Sequence, residues 1–285
     1  MNTTTRSNSL SGKVAVITGG GGILCSAMAR GLAADGVKIV ILNRTAAKGE
    51  AVAQQIRDAG GEALSLAANV LDRASLEAAR DEVKQRWGGC DILVNGAGGN
   101  HPRGTTATET WAGASTGPVT GPGSFLDLDE AGFRAVFDLN FMGTLLPTQV
   151  FLPLLLGRPG STVINVSSMG AYRPMTKVPA YCAAKAALNN LTNWMAVHFA
   201  EAGLRVNAIA PGFFSTEQNK ALLWNADGSP TPRAKKIVDH TPMRRFGKAE
   251  ELVGALRWLC DDTASGFVTG AVIPVDGGFS AYSGV

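Results

Sequence analysis

The sequence predicts an α/β fold, a doubly wound parallel β-sheet with helices on both faces, in one domain. Three observations carry that expectation. Short runs rich in Val, Ile and Leu recur without the polar alternation of a half-exposed strand, as strands buried on both faces require. Longer segments with helical spacing separate these runs. The first run ends in Gly19–Gly22, which opens directly into a helical segment.

In order, Lys13–Thr18 (KVAVIT) is the first strand and Ala27 to Asp35 a helix. Val37–Leu42 (VKIVIL) is the second strand, followed by a helix from Ala46 to Ala59 that Gly60–Gly61 stops. Ala63–Ala67 is a weaker strand, Ser75 to Trp87 a helix and Asp91–Val94 (DILV) a strand. Thr162–Val166 (TVINV), a long helix over Ala180–Ala202, Arg205–Ala210 (RVNAIA), a helix from Ala249 to Cys260 and the strand Ala271–Val275 complete the pattern. Residues 1–9 are expected to be a flexible N-terminus before a domain spanning 10–285. Two regions leave the alternation. Residues 99–127 are rich in Gly, Thr, Pro and Ser, and an insertion of this kind is usually functional or disordered. Residues 213–248 follow a strand end and carry Arg233, Lys235, Lys236, Arg244, Arg245 and Lys248 against Asp239. They read as a substrate lid or as a solvated basic helix.

Composition narrows the function. Hydrophobic residues make up 45% of the 285 and charged residues 17%, against roughly 25% charged in an average protein. Disorder over most of the chain is excluded. The 35 glycines have no collagen-like period and imply tight turns or close backbone approach to a ligand. A net charge of +3 is too mild for a nucleic-acid partner. Cys25, Cys90, Cys182 and Cys260 form no CxxC or zinc spacing, which suits a reducing cytoplasm. His101, His198 and His240 make no zinc set, so no metal is expected. The N-terminus lacks an apolar signal core. The most apolar stretch, Phe141 to Leu156, is too short for a membrane span and contains Pro147, Gln149 and Pro153.

Three constellations carry chemistry. The turn Thr18–Cys25 would let backbone N–H groups approach a pyrophosphate at a helix N-terminus, although such turns also simply reverse a chain. At the end of the second strand stand Asn43 and Arg44. An acid there would accept from the ribose hydroxyls of NAD, whereas an arginine suits the 2′-phosphate of NADP, so NADP(H) is favoured over NAD(H). Tyr181 and Lys185 are i and i+4 on one helix face, with Ser168 at a strand end before them. A nearby ammonium should lower the phenol from its reference pKa of roughly 10, and the serine hydroxyl could donate to a carbonyl or nascent alkoxide.

With these in place, the sequence resembles the short-chain dehydrogenase/reductase family from Leu10 to Ser280. The motifs are TGGGGILC, Asn95–Gly98, Asn140 in DLNFMG, INVSS, YCAAK, Pro211–Gly212 with Thr216, and Asp276–Gly278. The resemblance implies a Rossmann-type domain that interconverts a ketone and a secondary alcohol by hydride transfer. Tyr181 would be the acid or base, Lys185 would hold the nicotinamide ribose and tune Tyr181, Ser168 would orient the substrate oxygen, and Asn140 would support a relay water. Thr18, Gly19, Gly21, Gly22, Ile23 and Leu24 would cradle the cofactor phosphates, with Asn43 and Arg44 at the ribose. Asn69 and Val70 would meet the adenine, Asn95, Ala97 and Gly98 the adenosine side, and Pro211, Gly212 and Thr216 the nicotinamide. The sequence departs from the family pattern where Ile23 and Cys25 replace glycines, Asn69 an aspartate and Gly96 an asparagine. Cys25 threatens to crowd the cofactor, and a thiol at a helix N-terminus can be reactive.

The insertion before Asn140 and the segments GNHPR, SSMGAYRPMTKVPAY, PGFFSTEQN and DGGFSAYSG resemble a branch acting on sugar acids, which includes fructuronate reductases (D-mannonate oxidoreductases). Independently, His101, Arg103 and Arg173 suit an anionic substrate, a bidentate arginine being the natural carboxylate clamp. Asn100 and Gln218 could bond its hydroxyls. Each also reads as an ordinary surface or turn residue. Two alternatives stay open, a 3-oxoacyl thioester or polyol/keto-sugar reductase of the same family and a nicotinamide-sensing module without turnover. Trp194, Met195, Phe199 and Phe141 to Leu156 lie on helices that resemble the family's subunit interface, so a homotetramer or homodimer is expected.

Overall fold

The computed structural model describes residues 9–111, 124–215 and 223–284. Among these residues, seven parallel strands form one sheet: β1 (Val14–Thr18), β2 (Lys38–Asn43), β3 (Ala63–Ala67), β4 (Ile92–Asn95), β5 (Thr162–Val166), β6 (Arg205–Pro211) and β7 (Val272–Val275). Their order is β3-β2-β1-β4-β5-β6-β7. The chain runs outward from β1 to β3 and then returns to place β4 on the other side of β1. That reversal opens a crevice beyond the carboxyl ends of β1 and β4, the place where such sheets bind ligands.

Both sheet faces are covered, which explains the continuous apolar strands. Ala15, Ile17, Ile39, Ile41, Ile92 and Val94 point into one core. It is closed by α1 (Ile23–Ala33), α2 (Ala46–Asp58) and α8 (Glu251–Cys260). Val14, Val16, Val40, Leu42, Leu93 and Val163 point into the other, beneath α3 (Arg73–Trp87), α5 (Gly143–Leu155) and α6 (Pro179–His198).

Two elements differ from the sequence expectation. The first helix begins at Ile23, immediately after the glycines, rather than at Ala27. Ahead of α5, helix α4 (Glu130–Phe137) continues through a π-helical turn, Asp138–Met142, so the helical run extends from Glu130 to Leu155. At 26 residues it is long and apolar enough to cross a membrane, so shortness does not argue against a span. What does is packing: Val150, Phe151, Leu154 and Leu155 are buried in the core over β4 and β5. In the segment after β6, α7 (Pro232–His240) is a short helix that buries Ala234 and Ile237.

Candidate active site

The glycine turn is shaped by a close approach. Gly19 has φ +64°, and a Cβ there would lie 2.8 Å from the Ala97 Cα. The Thr18 hydroxyl accepts the N–H groups of Gly96 and Ala97 at 3.0 and 3.1 Å, tying the ends of β1 and β4 together. Gly22, at the N-terminus of α1, supplies no side-chain cap. The first N–H groups of that helix therefore face the crevice with the positive end of its dipole. Gly21 lies against the Asn43 carboxamide, whose Nδ2 donates to Thr45 O at 2.8 Å. Arg44 is exposed and makes no ion pair among the described residues. Asn69 is exposed in a turn closed by the Leu71 N–H on its Oδ1, and Val70 is buried behind it. These groups fit an anionic dinucleotide: a bare helix N-terminus, a glycine cradle and a free cation at the strand end.

Asn95 departs from its expected place. Its side chain is buried on the side of α5, with Nδ2 donating to Thr148 Oγ1 and Asn165 Oδ1 at 2.9 and 3.0 Å. Alternation along β4 puts it on the Leu93 face, so it braces the sheet instead of bordering the crevice. Ala97 lies close to Gly19, and Gly98 beside Asn140 and Lys185.

Cys25 corrects two expectations. Its thiol turns away from the open turn, toward Gly96 O at 3.7 Å. Burial pushes its pKa up to about 12, overriding the influence of Lys185. It is no reactive thiolate. An ideal Cβ on Gly96 would lie 2.2 Å from the Cys25 sulfur. The two departures from the family pattern therefore occupy one space.

Around Gly98 the structure brings together Asn140, Lys185, Tyr181 and Ser168. The π-helical turn frees the Val136 carbonyl, and Asn140 Nδ2 donates to it at 2.8 Å and to Gly99 O at 2.7 Å, while Oδ1 accepts the Gly99 N–H at 3.2 Å. A Cβ on Gly98 would come 2.7 Å from Asn140 Oδ1 and 3.3 Å from Lys185 Nζ. Ser168, just beyond β5, is buried, with its Oγ accepting the Gly170 N–H at 3.0 Å. Tyr181 sits in the first turn of α6, which Pro179 starts. Lys185 Nζ donates to Val166 O at 2.7 Å and lies 5.7 Å from the Tyr181 ring centroid. The ammonium is thus held over the ring. In place of the lowered phenol pKa expected from sequence, burial raises it, with the Ser168 hydroxyl acting the opposite way. Burial also lowers Lys185 to about 8.

That shift predicts a stability effect. At pH 7 Lys185 carries its proton in both folded and unfolded chains, and the fold bears the cost of burying it. Lys185→Met should raise the melting temperature by about 2–6 °C at pH 7, after allowance for the lost bond to Val166 O. From pH 8 to 10.5 the folded lysine loses its proton before the unfolded one, so the difference from wild type should shrink. Calorimetric melting across that range checks it; a destabilised variant at pH 7 would contradict it.

Of the expected substrate residues, Asn100, His101 and Arg103 hold a turn together. Asn100 Nδ2 donates to Thr105 Oγ1, His101 Nδ1 accepts the Arg103 N–H, and Arg103 pairs with Asp129 at 2.8 Å. Arg173 lines a cavity, together with Glu109, Arg233, Lys236 and His240. Its Nε donates to Ser280 O, in a turn whose Ser280 N–H and Oγ both bond Asp276. Glu109, Arg233, Lys236 and His240 were not singled out as site residues from sequence. For Arg233, Lys236 and His240 the signal is the run of basic residues after Pro230; Glu109 carries none. Pro211 ends β6, and Gly212 lies against Asp276, where a Cβ would come within 2.6 Å. Thr216 and Gln218 lie outside the described residues.

The family model for short chain dehydrogenase matches residues 13–226. The chain belongs to the short-chain dehydrogenases. An uncharacterized oxidoreductase, UxuB, of Bacillus subtilis (strain 168) is 60% identical over 276 residues, covering 97% of this chain and 98% of that protein. A crystal structure of a protein from Haemophilus influenza, provisionally named a D-mannonate oxidoreductase and holding NAD, is 49% identical with a TM-score of 0.92, covering 97% and 98% of the two chains. A provisionally named gluconate dehydrogenase from Agrobacterium tumefaciens is 28% identical with a TM-score of 0.82, covering 97% and 99%. This short-chain dehydrogenase is accordingly an oxidoreductase that uses a nicotinamide cofactor and a small substrate.

Proposed function

We propose that this short-chain dehydrogenase interconverts a keto-acid sugar and its alcohol, of the fructuronate/mannonate kind. The observation that carries the chemistry is the assembly of Ser168, Tyr181, Lys185 and Asn140 around Gly98, at the edge of the glycine-lined crevice. Support for a sugar acid comes from the names of the two solved relatives and from the cationic cavity beside Arg173. A fatty-acyl thioester would find an apolar mouth more favourable than this one.

The cofactor, when bound, supplies the hydride. Ile23 and Leu24 would meet its phosphates with their backbone N–H groups. Asn43 and Arg44 would meet the adenosine ribose, Asn69 and Val70 the adenine, and Ala97, Gly98, Pro211 and Gly212 would line the way to the nicotinamide, where Thr216 is also expected. The Ser168 hydroxyl holds the substrate oxygen. Tyr181, whose raised pKa keeps its proton at neutral pH, delivers that proton to the oxygen during reduction. Lys185 holds the ribose and meets proton demand behind Tyr181. Asn140 positions the Gly98–Gly99 segment, and the remaining lone pair on its Oδ1 would hold a relay water.

The finer readings rest on the same residues. NADP(H) is favoured by Arg44, which makes no ion pair among the described residues, and by Asn43, which does not repel a phosphate. Residues 99–127 and 213–248 act as insertion and substrate lid of a single domain that begins near residue 10. Assembly into a homotetramer or homodimer would cover Trp194 and Val197, which stand 57% and 80% exposed on α6. Four buried free thiols suit the cytoplasm.

The testing experiment follows nicotinamide absorbance with NADH and NADPH separately, offering fructuronate, a 3-oxoacyl thioester and a neutral keto-sugar. Fructuronate should be reduced fastest. Arg44→Ala should raise KM for NADPH about tenfold and leave KM for NADH nearly unchanged. Equal effects on both would remove the 2′-phosphate role of Arg44. Faster thioester turnover would overturn the sugar-acid reading, and tight cofactor binding without any turnover would favour a sensing module.

A further inference from the structure

Between the loop Arg173–Thr176, α7 and the C-terminal turn at Phe279 lies a cavity of about 180 Å³ lined by Arg173, Arg233, Lys236 and His240. One carboxylate reaches into it. Glu109, in the segment after β4, accepts a hydrogen bond from Lys236 Nζ on α7. That bond, with Lys177 and Arg233 nearby, holds the Glu109 carboxyl below the usual range. Arg173 and Arg233 have no carboxylate partner among the described residues. The cavity therefore keeps an excess of positive charge even with Glu109 in it.

We propose that this cavity is the carboxylate subsite of the substrate, with Arg233, Lys236 and Arg173 as its cations and Glu109 as an internal stand-in that the substrate displaces. The proposal rests on the sugar-acid reading and adds to it the residues that select the acid.

Three features support it. The cavity's wall packs against the residues that flank Ser168 and Tyr181. Met175, in its wall, donates its N–H to the sulfur of Cys182, the neighbour of Tyr181, and its Cε would stand 3.1 Å from a Cβ on Gly170, near Ser168. Phe213, also in the wall, directly follows Gly212 at the end of β6. The cationic face is also fixed in direction. Arg233 and Lys236 are i and i+3 on α7, while Ala234 and Ile237 anchor the helix against Leu223 and Phe246. Lys235 turns aside to pair with Asp239. Finally, the Glu109–Lys236 pair is open to solvent on both partners, and such pairs contribute little. An incoming carboxylate that reaches Arg233 and Lys236 together can replace it.

The test measures D-mannonate binding by calorimetry with NAD(P) present, and fructuronate turnover, for wild type, Arg233→Gln, Lys236→Gln and Glu109→Gln. D-Mannitol, which lacks the carboxylate, is titrated in parallel. Arg233→Gln and Lys236→Gln should weaken D-mannonate binding about 10- to 100-fold, well beyond any change for mannitol. Glu109→Gln should strengthen it about two- to fivefold, because a competitor is removed. A purely structural latch would give the same direction for either partner's removal, so the opposite signs mark competition. D-Mannonate affinity unchanged in Arg233→Gln and Lys236→Gln, or weakened in Glu109→Gln, overturns the subsite. Binding decides the subsite and turnover decides the reaction. Shifts in D-mannonate affinity without fructuronate turnover would keep the first and sink the second.

Discussion

Tyr181→Phe should lower kcat for ketone reduction by about 10²- to 10⁴-fold while nicotinamide affinity stays essentially unchanged. The substitution removes only the hydroxyl. The ring remains in the first turn of α6, and Lys185 Nζ keeps its bond to Val166 O and its place over the ring face. What disappears is a proton that burial retains at neutral pH, facing the serine at the end of β5. Steady-state reduction together with fluorescence titration of the reduced cofactor separates the two effects. Ser168→Ala should cost less, because it loses one donor to the oxygen and no proton carrier. A Tyr181→Phe enzyme with wild-type kcat would mean that another group, or water, delivers the proton.

The sheet was readable because its signals are local. Runs such as KVAVIT and TVINV state burial on both faces, and each lies within a residue or two of its strand. The Tyr181–Lys185 spacing is equally local, since i and i+4 share a helix face wherever the helix goes. Their electrostatics were not readable. A single hydrogen bond to the Val166 carbonyl draws the ammonium over the ring, and only the packed structure reveals how strongly burial opposes the charge.

The substrate side depended on contacts between distant segments. Asn100, His101 and Arg103 stand side by side in sequence after the β4 motif, yet they spend their polar groups on their own turn and on Asp129. The cations that line the cavity come instead from α7 and from the loop before Tyr181, and their carboxylate from Glu109. A charge run in sequence gives no direction until Ala234 and Ile237 choose which side of the helix is buried. The π-helical turn at Asn140 was likewise invisible. It inserts one residue into an otherwise continuous apolar helix, and its only sequence trace is the asparagine that satisfies the freed carbonyl.

Gly96→Asn should cripple the protein as it stands and be largely tolerated once Cys25 is glycine. Any Cβ at position 96 collides with the Cys25 sulfur at 2.2 Å, and overpacking of this kind costs about 1–3 kcal/mol or more in a closed site. The strand-end loop cannot easily retreat, because the Gly96 and Ala97 N–H groups are both bound to Thr18 Oγ1. Movement there would also disturb Gly19, whose backbone runs so close to Ala97 that a Cβ would come within 2.8 Å of it, so cofactor affinity should fall with stability. Cys25→Gly alone should cost roughly 1 kcal/mol for a glycine inside α1. It removes the sulfur and leaves only a 2.9 Å approach to Thr18 O, which a small backbone adjustment relieves. A double-mutant cycle read by denaturant melting and by cofactor titration should therefore show strong favourable coupling between the two changes, on the order of 2 kcal/mol. Additive losses would mean that the sulfur and the missing side chain do not share one space. Coupling would make the two departures from the family pattern a single exchange, in which the volume of an asparagine at the end of β4 is given up to a thiol from the helix beside it.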